Sequence, residues 1–165
     1  MSPRRILEIG PGPNPLHYRG EEKRLQLEEG EEYHGVDQSK RIFESEVWER
    51  AKTEYGDRVF LYEGDRADLK DIEDASMDEV IALGTHGQDG RIVAEFNRVL
   101  RPGGKILLGV PLPSQERLLS SWGVRLNRAG YTSLPSETKN YNYRGNMKES
   151  RPYIVLVWQK GNPSR

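Results

Sequence analysis

The stretch that most constrains this chain is Arg4-Arg5-Ile6-Leu7-Glu8-Ile9-Gly10-Pro11-Gly12-Pro13-Asn14-Pro15. The short apolar run from Ile6 to Ile9 predicts a buried strand. Gly10 and Gly12 then allow the backbone to turn sharply and a ligand to come close. Asn14 followed by Pro15 has the form of an N-cap and a first-turn proline, so a helical turn is expected to start there. A strand, a glycine turn and a helix start, in that order, open the ligand site of an open α/β sheet.

The turn also restricts the ligand. A dinucleotide fingerprint needs a third glycine, and that position is Pro15. Pro11 and Pro13 carry no N–H, so few donors face a pyrophosphate. Glu8, just ahead of the glycines, adds negative charge, which favours a ligand bearing an ammonium or sulfonium group. The plain alternative is an ordinary strand-to-helix turn. The residues Glu8-Ile9-Gly10-Pro11-Gly12 resemble the first motif of the class I S-adenosylmethionine-dependent methyltransferases.

The chain has 165 residues, enough for one domain, expected over residues 1–160 with 161–165 a frayed tail. Apolar residues make up 35% and charged residues 31%, which suits one sheet with helices. The absence of cysteine removes disulfides, thiolate metal sites and cysteine nucleophiles together. His17, His34 and His86 lie too far apart for metal-ligand spacing, so no metal site is expected. No run is long and apolar enough for a membrane span and no signal peptide is visible, so a cytoplasmic protein is expected. The charge is uneven: residues 112–165 carry net +6, and the first 111 carry net −7. Such a split points to an anionic partner near the C-terminal third, or to chance segregation on a solvated surface.

Residues Glu32–Asp37 predict a second strand that ends in an acid. Two roles fit Asp37: a carboxylate accepting both hydroxyls of a ribose, or an acid ahead of the next helix. The strand before it favours the first. Lys40 to Tyr55 predict one helix, with Ile42, Phe43, Val47, Ala51 and Tyr55 on one face and Trp48 packing at the rim. Arg58 to Asp65 predict a third strand closed by Gly64-Asp65-Arg66. Asp65 reads as a ligand contact or as the cap of a short helix, with Asp68 a nearby alternative. Asp78 to Gly84 predict the fourth strand, followed by the loop Thr85-His86-Gly87-Gln88-Asp89-Gly90. Ile92–Leu100 predict a helix that runs through Arg101-Pro102-Gly103-Gly104 into a strand over Lys105–Val110. A helix from Ser114 to about Ala129, a sixth strand over Gly130–Glu137 and a seventh over Tyr153–Trp158 complete the pattern.

Glu95 to Leu107, with its Arg98-Val99-Leu100-Arg101-Pro102-Gly103-Gly104 core, is similar to the segment before the fifth strand in many small-molecule members of the same family. The resemblance spans Arg4 to Trp158. It implies a Rossmann-like seven-stranded, mostly parallel sheet in the order 3-2-1-4-5-7-6, with strand 7 antiparallel and helices on both faces. It implies S-adenosylmethionine as cofactor, held by Glu8, Gly10, Gly12, Asp37 and Asp65, with Pro11, Gln38, Arg66 and Leu83 beside them. In the family an acid at the position of Asp65 accepts the adenine amino group, and a neighbouring N–H serves a ring nitrogen.

Without cysteine, covalent attack on cytosine C6 is excluded. Gly84-Thr85-His86-Gly87 stands where base N-methylating members carry an Asn/Asp-Pro-Pro-aromatic tetrad, which disfavours that chemistry. His86 is the candidate general base. Tyr141, Tyr143 and Arg144, in the connection Thr138–Pro152, are the candidate acceptor contacts. The acceptor is expected to be a small molecule, with RNA or protein as alternatives. No helical segment precedes the first strand in this sequence, so a lid from a second subunit, a partner or the acceptor itself is expected. The competing readings are a non-catalytic S-adenosylmethionine-binding or scaffold subunit that works with a partner, and an NAD-dependent oxidoreductase.

Overall fold

The computed structural model describes residues 2–12, 15, 24–83, 90–111, 115–141 and 151–161. The first strand, β1 (Arg4–Ile9), pairs with a parallel neighbour on each side, as a run buried on both faces requires. On one side lie β2 (Glu31–Asp37) and then β3 (Val59–Glu63). On the other lie β4 (Met77–Leu83) and β5 (Leu100–Pro111). β6 (Tyr131–Tyr141) forms the far edge, and β7 (Arg151–Lys160) is inserted between β5 and β6, antiparallel to both. The order is therefore β3-β2-β1-β4-β5-β7-β6, as the resemblance implied.

Strand alternation sends successive side chains to opposite faces. Ile6, Tyr33, Ile81, Leu107 and Val155 pack on one face against Phe43, Trp48 and Ala51; the last two belong to α1 (Glu46–Tyr55). Leu7, Ile9, Val80, Ile106 and Leu108 pack on the other against Ile92, Phe96 and Val99 of α2 (Gly90–Val99) and Trp122 and Leu126 of α3 (Gln115–Arg128). Helices thus cover both faces. No helix among the described residues is long and apolar enough to cross a membrane.

Several boundaries differ from expectation. Lys40–Tyr55 is not one helix. A 3₁₀ turn over Lys40–Glu44 ends at Ser45, which is extended at φ −75°, ψ 157°. The Ser45 carbonyl accepts the N–H groups of Trp48 and Glu49 and so starts α1, with Glu46 and Glu49 favourably placed at its positive end. Trp48 is not at the rim: it is fully buried. Leu100 belongs to β5, and Arg101–Gly104 bulge out of that strand between the pairs Met77–Leu100 and Glu79–Lys105. The bulge needs its glycines. Gly103 has φ +78°, and a Cβ on Gly104 would lie 2.9 Å from the Asp78 carbonyl oxygen. β6 and β7 are longer than expected, so their connection shrinks to 142–150, outside the described residues. The expected helical turn after Pro15 and the Ser114 cap also lie outside them.

No helix follows Asp65; residues 64–76 cross from β3 to β4 as turns. Turns offer few internal backbone partners, and Arg98 of α2 supplies the missing ones. It donates to the carbonyls of Leu69 and Ile72 at 2.8 and 2.9 Å, and pairs with Asp74 at 2.6 Å and Glu95 at 2.8 Å. Glu95 in turn accepts the Leu69 N–H at 2.8 Å. The guanidinium beside it holds Glu95 below the usual carboxylate range. Arg98→Ala should cost on the order of 2 kcal/mol, because it strands two carbonyls and two acids at a half-exposed site. Arg98→Lys should recover less than half, since an ammonium cannot reproduce the fork. Urea midpoints of the two variants check this.

On the α2 face near the β3 edge, the His34 ring stacks on Phe60 with centroids 4.7 Å apart and lies parallel to Tyr62 at 6.0 Å. Its Nδ1 is 3.3 Å from the Tyr62 hydroxyl, and its buried Nε2 has no hydrogen-bond partner. Burial lowers the His34 pKa from 6.5 to about 4; nearby Glu32 pulls it back up and Arg5 presses it down. The folded state therefore resists a proton that the unfolded chain accepts. Stability should fall as pH drops from about 6.5 to about 4, by up to about 3 kcal/mol. His34→Phe should flatten that part of the pH profile, measured by urea unfolding at stepped pH.

Candidate cofactor site

The C-terminal ends of β1, β2 and β3 are locked side by side by backbone hydrogen bonds. The Gly10 N–H donates to the Val36 carbonyl at 2.8 Å, and the Gly64 N–H to the Asp37 carbonyl at 3.0 Å. Gly10 and Gly12 both lie in the left-handed region, at φ +64° and +57°. A Cβ on Gly12 would meet no atom of the described residues within 4 Å, so this glycine is required by its backbone conformation. The turn is poor in donors for a phosphate: the Gly10 N–H is spent on Val36, and Pro11, itself buried, has none.

Asp37 sits at the tip of β2, half-buried, with Glu63 opposite it on β3. Its Oδ1 accepts the Ser39 N–H at 3.0 Å, and its Oδ2 has no partner among the described residues. That leaves a carboxylate oxygen able to accept further hydroxyl groups. Gln38, next in sequence, is exposed. Asp65 is exposed one residue past Gly64. Its Oδ1 accepts the Ala67 N–H at 2.9 Å in an Asx-type turn, so it caps a turn where a helix cap was the competing expectation. Arg66 follows inside that turn. Leu83 ends β4, half-buried against Gly109, where a Cβ would come within 2.8 Å of the leucine side chain.

Glu8 is placed differently from the other acids. It is 1% exposed and lies under the turn, where it accepts the Tyr33 hydroxyl at 2.7 Å. Its carboxyl group lies beneath the turn, closed off from solvent. His86, Tyr143 and Arg144 lie outside the described residues. Tyr141 ends β6 on the same rim as the glycine turn, paired in register with Arg151. A cavity of about 260 Å³ lies at the opposite rim, beside Arg4, Asp78, Glu79, Arg101 and Lys105. Its arginines are already engaged, Arg4 with Glu31 and Glu79 and Arg101 with Asp78, so it braces the strand starts.

Residues 7–108 match the family model described as "Methyltransferase domain". The chain belongs to that family, and its sheet order is the one the resemblance to the class I S-adenosylmethionine-dependent methyltransferases implied. Its fold is shared with a SAM-dependent methyltransferase from Methanosarcina mazei, at a TM-score of 0.71 and 16% identity over 99% of this chain and 95% of that one. The 1,6-didemethyltoxoflavin-N1-methyltransferase of Burkholderia thailandensis, solved with 1,6-didemethyltoxoflavin and S-adenosylhomocysteine, superposes at a TM-score of 0.69 and 19% identity over 98% and 72% of the two chains. The malonyl-[acyl-carrier protein] O-methyltransferase of Alcanivorax borkumensis is 50% identical over 46 residues, which cover 27% of this chain and only 16% of that enzyme.

The residues present fit the family's cofactor. Asp37 offers an open oxygen to a sugar diol, Asp65 an exposed carboxylate oxygen to an amino group, and the turn between them few donors to a phosphate. Sequence reasoning missed Tyr33, Gly35 and Trp48 beneath the turn. Only Gly35 carried a signal: an isolated glycine inside a strand marks a close approach.

Proposed function

We propose that this chain transfers the methyl group of S-adenosylmethionine to a small-molecule acceptor at the rim formed by Gly10–Gly12, Asp37 and Asp65. The observation that carries this reading is the pairing of a donor-poor glycine turn with open acids at the neighbouring strand tip and just beyond the next. Such a rim favours a cationic, phosphate-free cofactor over a dinucleotide. When bound, S-adenosylmethionine supplies a methyl group already activated on a sulfonium. The protein's part is then to position the reactants and exclude water. Asp37 receives the ribose hydroxyls, Asp65 and the Arg66 N–H read the adenine edge, Gln38 and Leu83 flank the nucleoside, and Glu8 adds negative charge from below.

The small-molecule acceptor is supported by one protein of similar fold, a methyltransferase solved with 1,6-didemethyltoxoflavin. His86 is the proposed base where the acceptor must lose a proton, and Tyr141, Tyr143 and Arg144 are the proposed acceptor contacts. Residues 1–160 act as one domain.

The test has two arms. Calorimetric titration with S-adenosylhomocysteine and with NAD should show binding of the first alone; binding of NAD alone, or of neither, overturns the reading. Methyl-labelled S-adenosylmethionine incubated with the protein and a fractionated cell extract should then place label in the small-molecule fraction. Label in RNA or protein would overturn the acceptor class, and tight binding with no transfer would identify a non-catalytic subunit.

A further inference from the structure

The buried Glu8 carboxylate and the Gly12 carbonyl, at the two ends of the cofactor turn, are both held by one aromatic pair. Tyr33 on β2 donates its hydroxyl to Glu8 at 2.7 Å. Its ring packs on Trp48 of α1, with centroids 5.5 Å apart and planes tilted by 34°. Trp48 is fully buried, and its Nε1–H donates to the Gly12 carbonyl at 3.0 Å. Phe43 fixes the indole from its edge, at 5.5 Å and 81°.

The backbone makes room for this pair. Gly35 stands opposite Glu8 in the β1–β2 register and on the same face as Tyr33. A Cβ on Gly35 would lie 3.0 Å from Tyr33 Cε1 and 3.4 Å from its hydroxyl. The missing side chain is what lets the tyrosine ring lie along the sheet and reach Glu8 two residues further on. The hydrogen bond gives the buried indole N–H its acceptor and at the same time ties the Gly12 carbonyl to α1.

We propose that Tyr33 and Trp48 are positioning residues for the cofactor: they fix the Gly10–Gly12 turn in its binding shape and report the turn's occupancy to α1. The proposal rests on the turn being the S-adenosyl site. The direction of coupling follows from reciprocity, since a hydrogen bond that stabilises the binding shape is itself stabilised when ligand binds.

The test uses the whole chain with S-adenosylhomocysteine. Trp48→Phe keeps a buried aromatic ring and drops the N–H, so affinity should fall about 3- to 10-fold, as expected for one lost neutral hydrogen bond. In the wild type, the indole N–H resonance of Trp48, assigned by its loss in that variant, should shift on titration while those of Trp122 and Trp158 stay. Wild-type affinity in Trp48→Phe, or an unmoved Trp48 resonance in a protein that does bind, overturns the proposal. If Trp48→Phe does not fold, Tyr33→Phe and Gly35→Ala carry the affinity test, with the same loss expected and wild-type affinity in both overturning it. If the wild type binds no S-adenosylhomocysteine at all, the cofactor assignment of the turn fails, and the relay fails with it.

Discussion

Asp37→Ala is expected to weaken S-adenosylhomocysteine binding by roughly 10- to 100-fold, the range for losing charge-assisted hydrogen bonds. The thermal midpoint should stay within about 2 °C of the wild type. The side chain is half-buried and makes one internal bond, to the Ser39 N–H, which water can replace. Its Oδ2 has no partner among the described residues, so little of its value is internal. Asp37→Asn keeps an acceptor of the same shape without the charge and should fall between the two. Calorimetry on the three proteins decides it, and an unchanged dissociation constant in Asp37→Ala removes the ribose role from this residue.

Phe96→Ala should give the largest loss of stability, about 3–5 kcal/mol. Phe96 points from α2 into the larger core cluster, is 1% exposed, and stacks on Trp122 of α3 with centroids 6.4 Å apart. Few of its neighbours can collapse into the gap, because the sheet lies beneath it and α3 beside it. Domains of this kind have about 5–15 kcal/mol in total, so the variant should sit close to its unfolding threshold at 37 °C. Phe96→Leu should restore most of the loss. Urea unfolding checks both, and a loss below about 1 kcal/mol would show that α2 is not a main wall of the core.

The sheet was readable because its strands are short runs with clear ends. Ile6–Ile9 before two glycines, Asp37 closing the second strand and the β-branched stretch in β7 each named their own place. The helix over Lys40–Tyr55 was misread because its apolar spacing continues through Ser45, whose extended backbone is set by packing around Phe43 and Trp48. The place of Asp37 at a strand tip was legible because a strand end is marked locally in the sequence. The relay under the turn was not, since Tyr33 reaches Glu8 across 25 residues and Trp48 reaches Gly12 across 36. Arg98 was read as part of a helix-stopping segment. Its partners Leu69, Ile72 and Asp74 sit in a crossover for which the sequence suggested a short helix.

The position of β7 bears on how the protein is made. It leaves the ribosome after both of its neighbours, yet it lies between β5 and β6. A nascent chain released only as far as β6 has one open edge on β5 and no sheet for β6 to join. The central β1–β2–β4 unit can assemble during translation, but β6 must wait for β7 before it can join the sheet. During that interval two unpaired strand edges are exposed at once, which makes this the moment of greatest aggregation risk and the point at which a chaperone would matter most.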